Sequence, residues 1–299
     1  MTDHPIDRLI ERMQALDSIV CAGFDPHEDL LPPVLRTISD PVDAWRRFFA
    51  GILEALAGVV PAVKPQIAFF EALGPSGIAL YFELIREAHR RGFVVIGDIK
   101  RADIGTTAAA YARAHLQATD GTAADLVTVN PYLGRDGVQP FLDVGRPLGR
   151  GVVALVRTSN PSRVDLQDLP VDGRPLYAHV GRLAEAWGGD RVGQFGFGDV
   201  AAVVGATGPE EGARLRVALP HTFFLIPGYG AQGGTAADVA RILQGRPASA
   251  LVASSRAILA AWRRDPARSA QFAALARAEA VAMTADLRAA LRDGPTGGG

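Results

Sequence analysis

The chain has 299 residues, of which 48% are hydrophobic and 21% charged, and its formal net charge is −1. This balance is ordinary for a globular protein with a sizeable core, and it argues against a polyanionic partner such as nucleic acid. No uncharged apolar stretch is long enough to cross a bilayer, and the first residues lack the apolar core of a signal peptide. The single cysteine, Cys21, excludes an intrachain disulfide, so we expect a cytoplasmic protein with Cys21 in its core.

The chain begins with a helical pattern and continues as eight short apolar runs. Residues 1–17 carry apolar side chains at helical spacing and predict a leading helix that could cover the floor of the fold. The apolar runs are rich in Val, Ile and Leu, as strands buried on both faces should be. They occupy residues 18–24, 59–63, 93–99, 126–129, 152–156, 200–204, 223–226 and 248–253.

Helical patterns separate these runs, for example at Leu176, Val180 and Leu183. Alternation of strands and helices predicts parallel βαβ units. Eight such units without a break in composition predict a (β/α)8 barrel that forms one domain over residues 1–292. An open doubly wound sheet is the alternative. It would favour a glycine-rich turn after an early strand, where this chain instead has Asp25 between Phe and Pro.

Three segments stand outside this alternation. Residues 161–175, after the fifth strand, are polar, proline-rich and long for such a connection. Their composition fits a lid over the site and an ordinary surface loop equally well. Residues 266–292 predict an alanine-rich helix, and residues 293–299 predict a disordered tail.

Lysine is almost absent from this chain. Of the 31 basic residues only Lys64 and Lys100 are lysines, and each closes an apolar run that predicts a strand. Arginine stays charged at any working pH, whereas lysine can release a proton. The pattern therefore favours a proton donor at these two positions over two lysines left there by chance.

The ends of the first three strands gather charged residues. Asp25 follows the first strand, Lys64 the second, and Asp98, Lys100 and Asp103 lie at or just after the end of the third. Active sites of (β/α)8 barrels lie where strands end, and residues two apart on a strand point to one side. Two carboxylates and two ammonium groups in one pocket would keep each other ionised and could place a proton donor beside a substrate atom. The same spacing also fits an internal ion-pair network.

Residues 228–234 contain four glycines and follow the seventh strand, and Arg256 follows the eighth. Barrels commonly hold phosphate at this place, with backbone amides and a bidentate arginine as donors. The position favours a phosphate site over a plain turn. The six histidines show no metal-type pair spacing, so we do not expect a histidine-based metal site.

Taken in order along the chain, these residues resemble the orotidine 5′-phosphate decarboxylase family, and more closely its longer bacterial subfamily. Residues 98–107, Asp-Ile-Lys-Arg-Ala-Asp-Ile-Gly-Thr-Thr, are similar to the family's Asp-x-Lys-x-x-Asp motif. The resemblance extends from Asp25 to Arg256. Its other parts are Phe-Asp-Pro at 24–26, Val-Lys-Pro-Gln at 63–66, Thr-Ser-Asn-Pro at 158–161 and Pro-Gly-Tyr-Gly-Ala-Gln-Gly-Gly at 227–234.

The resemblance implies decarboxylation of orotidine 5′-monophosphate to uridine 5′-monophosphate, with no metal and no organic cofactor. In this scheme Lys100 protonates C6 of the pyrimidine as carbon dioxide leaves. Asp98 lies against the departing carboxylate, and Lys64 bridges the carboxylates and the ribose hydroxyls.

The resemblance also implies how the rest of the nucleotide is bound. It assigns the ribose to Asp25, the pyrimidine to Ser159, and the 5′-phosphate to Gln232, Gly233 and Arg256.

The resemblance further implies a homodimer with shared active sites. Asp103 would complete the charge array of the neighbouring subunit, together with Thr107. Composition by itself does not show this role, and the alternative is that Asp103 is an ordinary loop aspartate that caps the following helix.

Two other functions fit parts of this pattern. A metal-dependent barrel enzyme similar to hexulose-phosphate synthase resembles this chain at the third strand, but it has a glutamate where Lys64 stands. A barrel that only binds a phosphate ligand would tolerate loss of the lysines, which this chain keeps.

Overall fold

The computed structural model describes residues 4–230 and 233–293. Within them, eight parallel strands close into a barrel in which each strand pairs with its neighbours in sequence and the eighth pairs with the first. The strands are β1 Val20–Phe24, β2 Ala62–Pro65, β3 Val94–Arg101, β4 Leu126–Val129, β5 Gly151–Arg157, β6 Val200–Val204, β7 Phe224–Pro227 and β8 Ala250–Ser254. The predicted (β/α)8 barrel is thus confirmed, and closure excludes the open sheet.

Helices connect the strands on the outside of the barrel. The α-helices are α1 Pro5–Leu16, α2 Pro41–Leu56, α3 Ile67–Ala72, α4 Gly74–Arg90, α5 Gly105–Leu116, α6 Arg135–Gly145, α7 Leu176–Gly188, α8 Pro209–Ala218, α9 Ala236–Leu243, α10 Arg256–Leu259 and α11 Phe272–Asp293. In the part of the chain covered by the structure, no helix combines the length and the apolar character needed to cross a bilayer.

Six strands have boundaries that differ from the predicted runs, and three of them, β1, β2 and β8, start two or three residues late. Ser18 precedes β1, since its hydroxyl accepts a hydrogen bond from the Val20 amide. Residues 59–61 belong to the turn after α2, where the amides of Val59 and Val60 donate to the Leu56 carbonyl. The run at 248–253 starts late because its first two residues lie in the 3-10 helix Pro247–Ser249.

The interior of the barrel follows the two-residue repeat of strands. Cys21, Ala62, Ile96 and Leu126 belong to one buried cluster inside the barrel, whereas their strand neighbours pack outward against the helices. Cys21 is completely buried, as predicted. Continuing the same alternation two residues further along β2, β3 and β4 brings polar side chains to the carboxyl end of the barrel.

Helix α1 closes the opposite end of the barrel, which is called the floor below. Its apolar face, Ile6, Leu9, Ile10 and Met13, packs into the interior cluster. Its polar side chains bind the floor as well, because Arg8 donates to a carboxylate oxygen of Asp125 over 2.9 Å. The leading helix therefore separates the barrel interior from solvent on this side.

The candidate lid, residues 161–175, contains regular structure, but most of its residues are exposed. It begins with the 3-10 helix Pro161–Asp165 and continues into a short antiparallel pair, Pro170–Val171 with Arg174–Pro175. The side chain of Gln167 accepts a hydrogen bond from the Thr158 amide over 2.9 Å and donates to its hydroxyl over 2.7 Å. The segment is thus attached to the end of β5.

The C-terminal helix begins later than predicted. Residues 266–271 form a 3-10 helix, Pro266–Gln271, that has Pro266 in its first turn, and α11 starts at Phe272. The helix continues to Asp293, the first residue of the predicted tail, and residues 294–299 lie outside the described part of the chain.

Candidate active site

A cavity of about 560 Å³ opens at the carboxyl end of the barrel, which is called the mouth below. Ligand pockets in proteins are commonly of this size. Charged and polar side chains from the first four strands form one wall, and apolar side chains from the last four form the other. The apolar wall consists of Leu155, Val203, Leu225 and Ala253.

Asp98 is the centre of the charged wall. Its Oδ2 accepts hydrogen bonds from Lys64 Nζ over 2.5 Å and from Gln66 Nε2 over 3.0 Å. Its Oδ1 accepts from Lys100 Nζ over 2.5 Å and from the Thr128 hydroxyl over 2.9 Å. The carboxylate therefore lies between two ammonium groups and is fully hydrogen-bonded.

The electrostatics of this cluster keep it ionised. Burial alone would raise the pKa of Asp98, but the positive charges of Lys64 and Lys100 hold that pKa well below its usual range. Burial alone would lower the pKa of Lys64, but the charges of Asp98 and Asp25 raise it above its usual value. Lys64 and Asp98 are thus charged across the physiological pH range.

Lys100 occupies an unusual backbone position. Its φ angle is 45°, in the left-handed region that residues with side chains seldom adopt. The register between β3 and β4 shifts between Gly97 and Arg101, which shows that the strand bulges at this point. The bulge replaces the regular alternation assumed from the sequence, yet Lys100 and Asp98 still meet in the cavity. The ammonium end of Lys100 has access to solvent, since 46% of the side chain is exposed.

Two polar atoms beside this cluster have no protein partner. Asp25 Oδ1 and the Ser254 hydroxyl are buried, line the cavity and accept or donate no hydrogen bond within the described chain. Buried polar groups are nearly always hydrogen-bonded, so such atoms are candidate contacts for a polar ligand. Ser254 is the last residue of β8 and Asp25 directly follows β1, so both lie where the barrel closes.

The loop after β5 forms the rim between the two walls. Thr158, Ser159 and Asn160 all line the cavity, together with Gln167 from the candidate lid. The Thr158 hydroxyl donates to Asn160 Oδ1 over 2.5 Å. Gly205 fits against this loop because a side chain there would collide with Ser159.

The glycine-rich loop after β7 folds back on itself. The amides of Gly230, Gly233 and Gly234 donate to carbonyl groups within the loop, so these three amides are already engaged. Gly233 lines a larger neighbouring cavity of about 1,260 Å³ rather than the one that contains the lysines. Gln232 lies outside the described residues.

Arg256 connects these two cavities, because it lines both. Its guanidinium forms no salt bridge with any carboxylate of residues 4–230 and 233–293, in contrast to most arginines of this protein. An unpaired arginine at the mouth of a cavity is suited to an anionic group.

Asp103 and Thr107 do not line the cavity of their own chain. The Asp103 carboxylate instead accepts a hydrogen bond from the Ile104 amide over 2.8 Å, and Thr107 is exposed on the first turn of α5. Of the ten predicted site residues, the structure brings together Asp25, Lys64, Asp98, Lys100, Ser159 and Arg256 around one cavity.

Sequence reasoning assigned no role to several cavity residues, among them Gln66, Thr128, Gln167 and Ser254. Thr128 and Ser254 could have been found, since each is a hydroxyl residue in the last two positions of an apolar strand. Gln167 gave no such signal, because its contact with the site depends on how residues 161–175 fold.

Within residues 4–230 and 233–293, no group of three His, Cys, Asp or Glu side chains is arranged to hold a metal ion. The carboxylate in the best position, Asp98, already has ammonium groups on both oxygens.

Comparison with known proteins identifies the relatives of this chain. The family model described as "Orotidine 5'-phosphate decarboxylase / HUMPS family" matches residues 18–272. An orotidine 5′-phosphate decarboxylase from Rhodopirellula baltica is 45% identical over 258 residues, which cover 83% of this chain and 85% of the relative. One from Clostridium perfringens is 37% identical over 287 residues and covers 95% of this chain and 98% of the relative.

A solved structure from Streptomyces avermitilis, provisionally named an orotidine 5′-phosphate decarboxylase, superposes with a TM-score of 0.82 at 33% identity. The superposition covers 97% of this chain and 96% of the other. The strand-end charges, the closed barrel and these similarities agree, and the chain belongs to the orotidine 5′-phosphate decarboxylase / HUMPS family.

Proposed function

We propose that this protein decarboxylates orotidine 5′-monophosphate to uridine 5′-monophosphate and carbon dioxide, a step in pyrimidine nucleotide synthesis. Relatives that align with most of this chain are named for this activity. The observation that carries the proposal is the Asp98 carboxylate held between Lys64 and Lys100 in the cavity at the barrel mouth. We place the enzyme in the cytoplasm, where the free thiol of Cys21 would stay reduced.

The chemistry requires stabilisation of a carbanion. When the bond between C6 and the carboxylate carbon breaks, the electron pair remains on C6 and carbon dioxide leaves. An ammonium group fixed beside C6 stabilises this charge before it is fully formed, and preorganised electrostatics of this kind is usually the largest catalytic contribution. Lys100 then transfers a proton to C6 and regains one from solvent, which its exposed end permits.

Asp98 and Lys64 have complementary roles in this proposal. Asp98 is held as an anion, so a substrate carboxylate placed beside it is repelled, and the repulsion disappears when carbon dioxide leaves. Lys64 keeps Asp98 ionised and in place, because its Nζ lies 2.5 Å from Asp98 Oδ2. Asp25, whose Oδ1 has no protein partner, is available to a ribose hydroxyl.

The two ends of the cavity suit the other parts of the nucleotide. Ser159, which lies on the rim, would contact the pyrimidine, next to the apolar wall that would cover one face of a flat ring. Arg256, which lines both cavities, would hold the 5′-phosphate together with Gln232, whereas the Gly233 amide would first have to leave the Gly230 carbonyl. Binding energy from that remote group can be used to organise the reacting end.

A metal-dependent sugar-phosphate reaction, the alternative within this family, fits the charged wall less well. A divalent cation would need the carboxylate oxygens that Lys64 and Lys100 occupy, and it would be repelled by both ammonium groups.

The decisive experiment is an absorbance assay with orotidine 5′-monophosphate, before and after prolonged dialysis against a chelator. We expect turnover at the same rate in both samples. A rate that falls on dialysis and returns with magnesium would support the metal-dependent alternative, and absence of turnover in untreated protein would contradict the proposed function.

We further propose that the enzyme is a homodimer in which Asp103 and Thr107 complete the partner's site. Support comes from an exposed apolar surface close to Asp103. Ile104 is 54% exposed and Tyr132 is 73% exposed. The two segments are neighbours, because the Asp103 carbonyl and the Leu133 side chain both approach Gly137. Burial of such a surface against a second copy would remove apolar area from water.

Subunit mixing tests this arrangement. Asp103→Ala and Lys100→Ala dimers should each be nearly inactive, but a mixed dimer contains one site with both lesions and one site with neither. Activity should therefore return on mixing. The matched control is Asp98→Ala mixed with Lys100→Ala, where every site keeps one lesion and no recovery is expected. Mixed dimers that form, as shown by native mass, without recovering activity would contradict the shared site.

A further inference from the structure

One hydroxyl group joins the two central residues of the charged wall. The Thr128 side chain accepts a hydrogen bond from the backbone amide of Lys100 over 3.0 Å and donates one to Asp98 Oδ1 over 2.9 Å. Thr128 is 1% exposed, so water does not compete for either bond. A hydroxyl can accept and donate at once, which neither valine nor an unprotonated carboxylate can do.

The bond to Lys100 falls at the distorted point of β3. Lys100 has a φ angle of 45°, and the register with β4 shifts between Gly97 and Arg101. The Lys100 amide has lost its strand partner there, and the Thr128 hydroxyl supplies the acceptor instead. Backbone strain of this kind persists only where surrounding contacts hold it, and it is often found at functional sites.

The bond to Asp98 fixes the other partner. Oδ1 of Asp98, which accepts from the Thr128 hydroxyl, also accepts from Lys100 Nζ over 2.5 Å. The backbone of Lys100, its ammonium group and the Asp98 carboxylate therefore form one closed set of contacts through Thr128. Threonine in a strand has few side-chain rotamers, so the hydroxyl is held at a defined place.

We propose that Thr128 is a positioning residue that sets the separation between the proton donor Lys100 and the carboxylate of Asp98. The expected change in kcat rests on the proposed decarboxylation, but the expected change in the position of Lys100 does not. Thr128 touches no reacting atom in this scheme. It acts through the two residues that do.

The test compares Thr128→Val, which keeps the shape and removes the hydroxyl, with Thr128→Ser, which keeps the hydroxyl. Small misplacement of catalytic groups can lower rates by about 10²-fold. We expect Thr128→Val to lower kcat by a factor of that order with little change in KM, and Thr128→Ser to recover most of the loss. Exchange of the C6 hydrogen of uridine 5′-monophosphate in heavy water should fall in parallel, because it is the reverse of the Lys100 proton transfer.

Thr284→Val is the matched control. Thr284 is also a buried threonine whose hydroxyl makes two hydrogen bonds, with Ser18 and with the Ala280 carbonyl, but it lies on α11 beside the start of β1. It should lower the melting temperature at least as much as Thr128→Val does, with kcat unchanged. Wild-type kcat in Thr128→Val, equal damage in Thr128→Ser, or a change in KM alone would each overturn the proposal.

A crystal structure of Thr128→Val tests the positioning without substrate. We expect Lys100 to leave the left-handed region and its Nζ to move away from Asp98 Oδ1. If Lys100 kept its conformation and this contact, the proposal would be wrong whether or not the chain decarboxylates the nucleotide. If wild type were inactive while Lys100 moved in the variant, only the proposed function would fail.

Discussion

The barrel holds a carboxylate with two cationic partners at each end, buried at the mouth and partly buried at the floor. At the mouth, Asp98 lies between Lys64 and Lys100. At the floor, Asp125 accepts from Arg8 over 2.9 Å and from His89 over 3.0 Å, and also from the Val95 amide. The two clusters have similar geometry, so an ion-pair network by itself does not identify an active site.

The differences between the clusters are chemical and spatial. The floor uses an arginine of α1 and a histidine of α4, whereas the mouth uses the only two lysines of the chain and opens into a cavity. Lys100 has a strained backbone, but the floor residues Arg8, His89 and Asp125 do not have positive φ angles. Access, strain and a side chain able to release a proton therefore distinguish the cluster proposed to be catalytic from the one at the floor.

The largest effect is expected for Lys100. Loss of a positioned proton donor costs about 10²–10⁴-fold, and loss of its charge adds to that. Lys100→Ala should abolish measurable turnover while a pyrimidine nucleotide still binds, as checked by calorimetry. Lys100→Arg should also fail because arginine holds its proton too tightly. The floor counterpart Arg8→Lys should keep wild-type kcat, and near-native turnover of Lys100→Arg would remove the distinction between the clusters.

A second comparison is between Arg256 at the mouth, which has no salt bridge within the residues that the structure describes, and Arg146 at the floor, which has two. Arg256 has no salt bridge in the described chain, whereas Arg146 binds Asp190 and Asp199 at the floor. Arg256→Ala should lower kcat/KM by roughly 10²-fold or more, because charged hydrogen bonds to phosphate are lost, without lowering the melting temperature. Arg146→Ala should lower the melting temperature and leave kcat/KM unchanged. Orotidine without its phosphate should be a poor substrate, and equal rates for both substrates would contradict this role of Arg256.

Asp125→Asn should affect stability and leave catalysis intact. Removing the charge of this partly buried carboxylate should cost about 2 kcal/mol of unfolding free energy, since Arg8 and His89 lose the charged acceptor of their hydrogen bonds. We expect that loss in chemical denaturation, together with an unchanged kcat per folded site below the new melting temperature. A large fall in kcat would show that the floor is coupled to the mouth.

The smallest expected effect is on how the stability of the protein depends on pH, through His89 at the floor. Burial alone would lower the pKa of His89, but the hydrogen bond to Asp125 raises it above its ordinary value. A raised pKa means that the stabilisation is complete below about pH 6.5 and is lost as pH rises through the folded-state pKa. His89→Gln should therefore cost on the order of 1 kcal/mol at pH 5.5 and less at pH 8.5. An equal cost at both values would show that His89 is neutral.

The fold was predictable because each strand is an apolar run that can be recognised from the local sequence. Runs 126–129 and 200–204 match β4 and β6, since turn residues flank both. Errors arose where apolar residues enter turns, as at 59–61, or where proline begins a 3-10 helix, as at 266. Local sequence does not distinguish a buried turn from a buried strand.

The charged wall was predictable from its spacing, but the details of Lys100 were not. In its left-handed conformation, the Lys100 amide donates to the hydroxyl of Thr128, which lies 28 residues away in sequence. The contact of Gln167 with Thr158 depends likewise on the fold of residues 161–175. Such features arise from tertiary contacts and leave no local pattern.

The interior position of Cys21 has a practical consequence. Burial raises the pKa of this thiol to about 12, and thiol reagents react with the thiolate. The native protein should thus resist maleimide, although it contains a cysteine. A cysteine introduced at Val217, which is 74% exposed on α8, would then be the single reactive thiol. One fluorophore per subunit could be attached in this way without first replacing the natural residue.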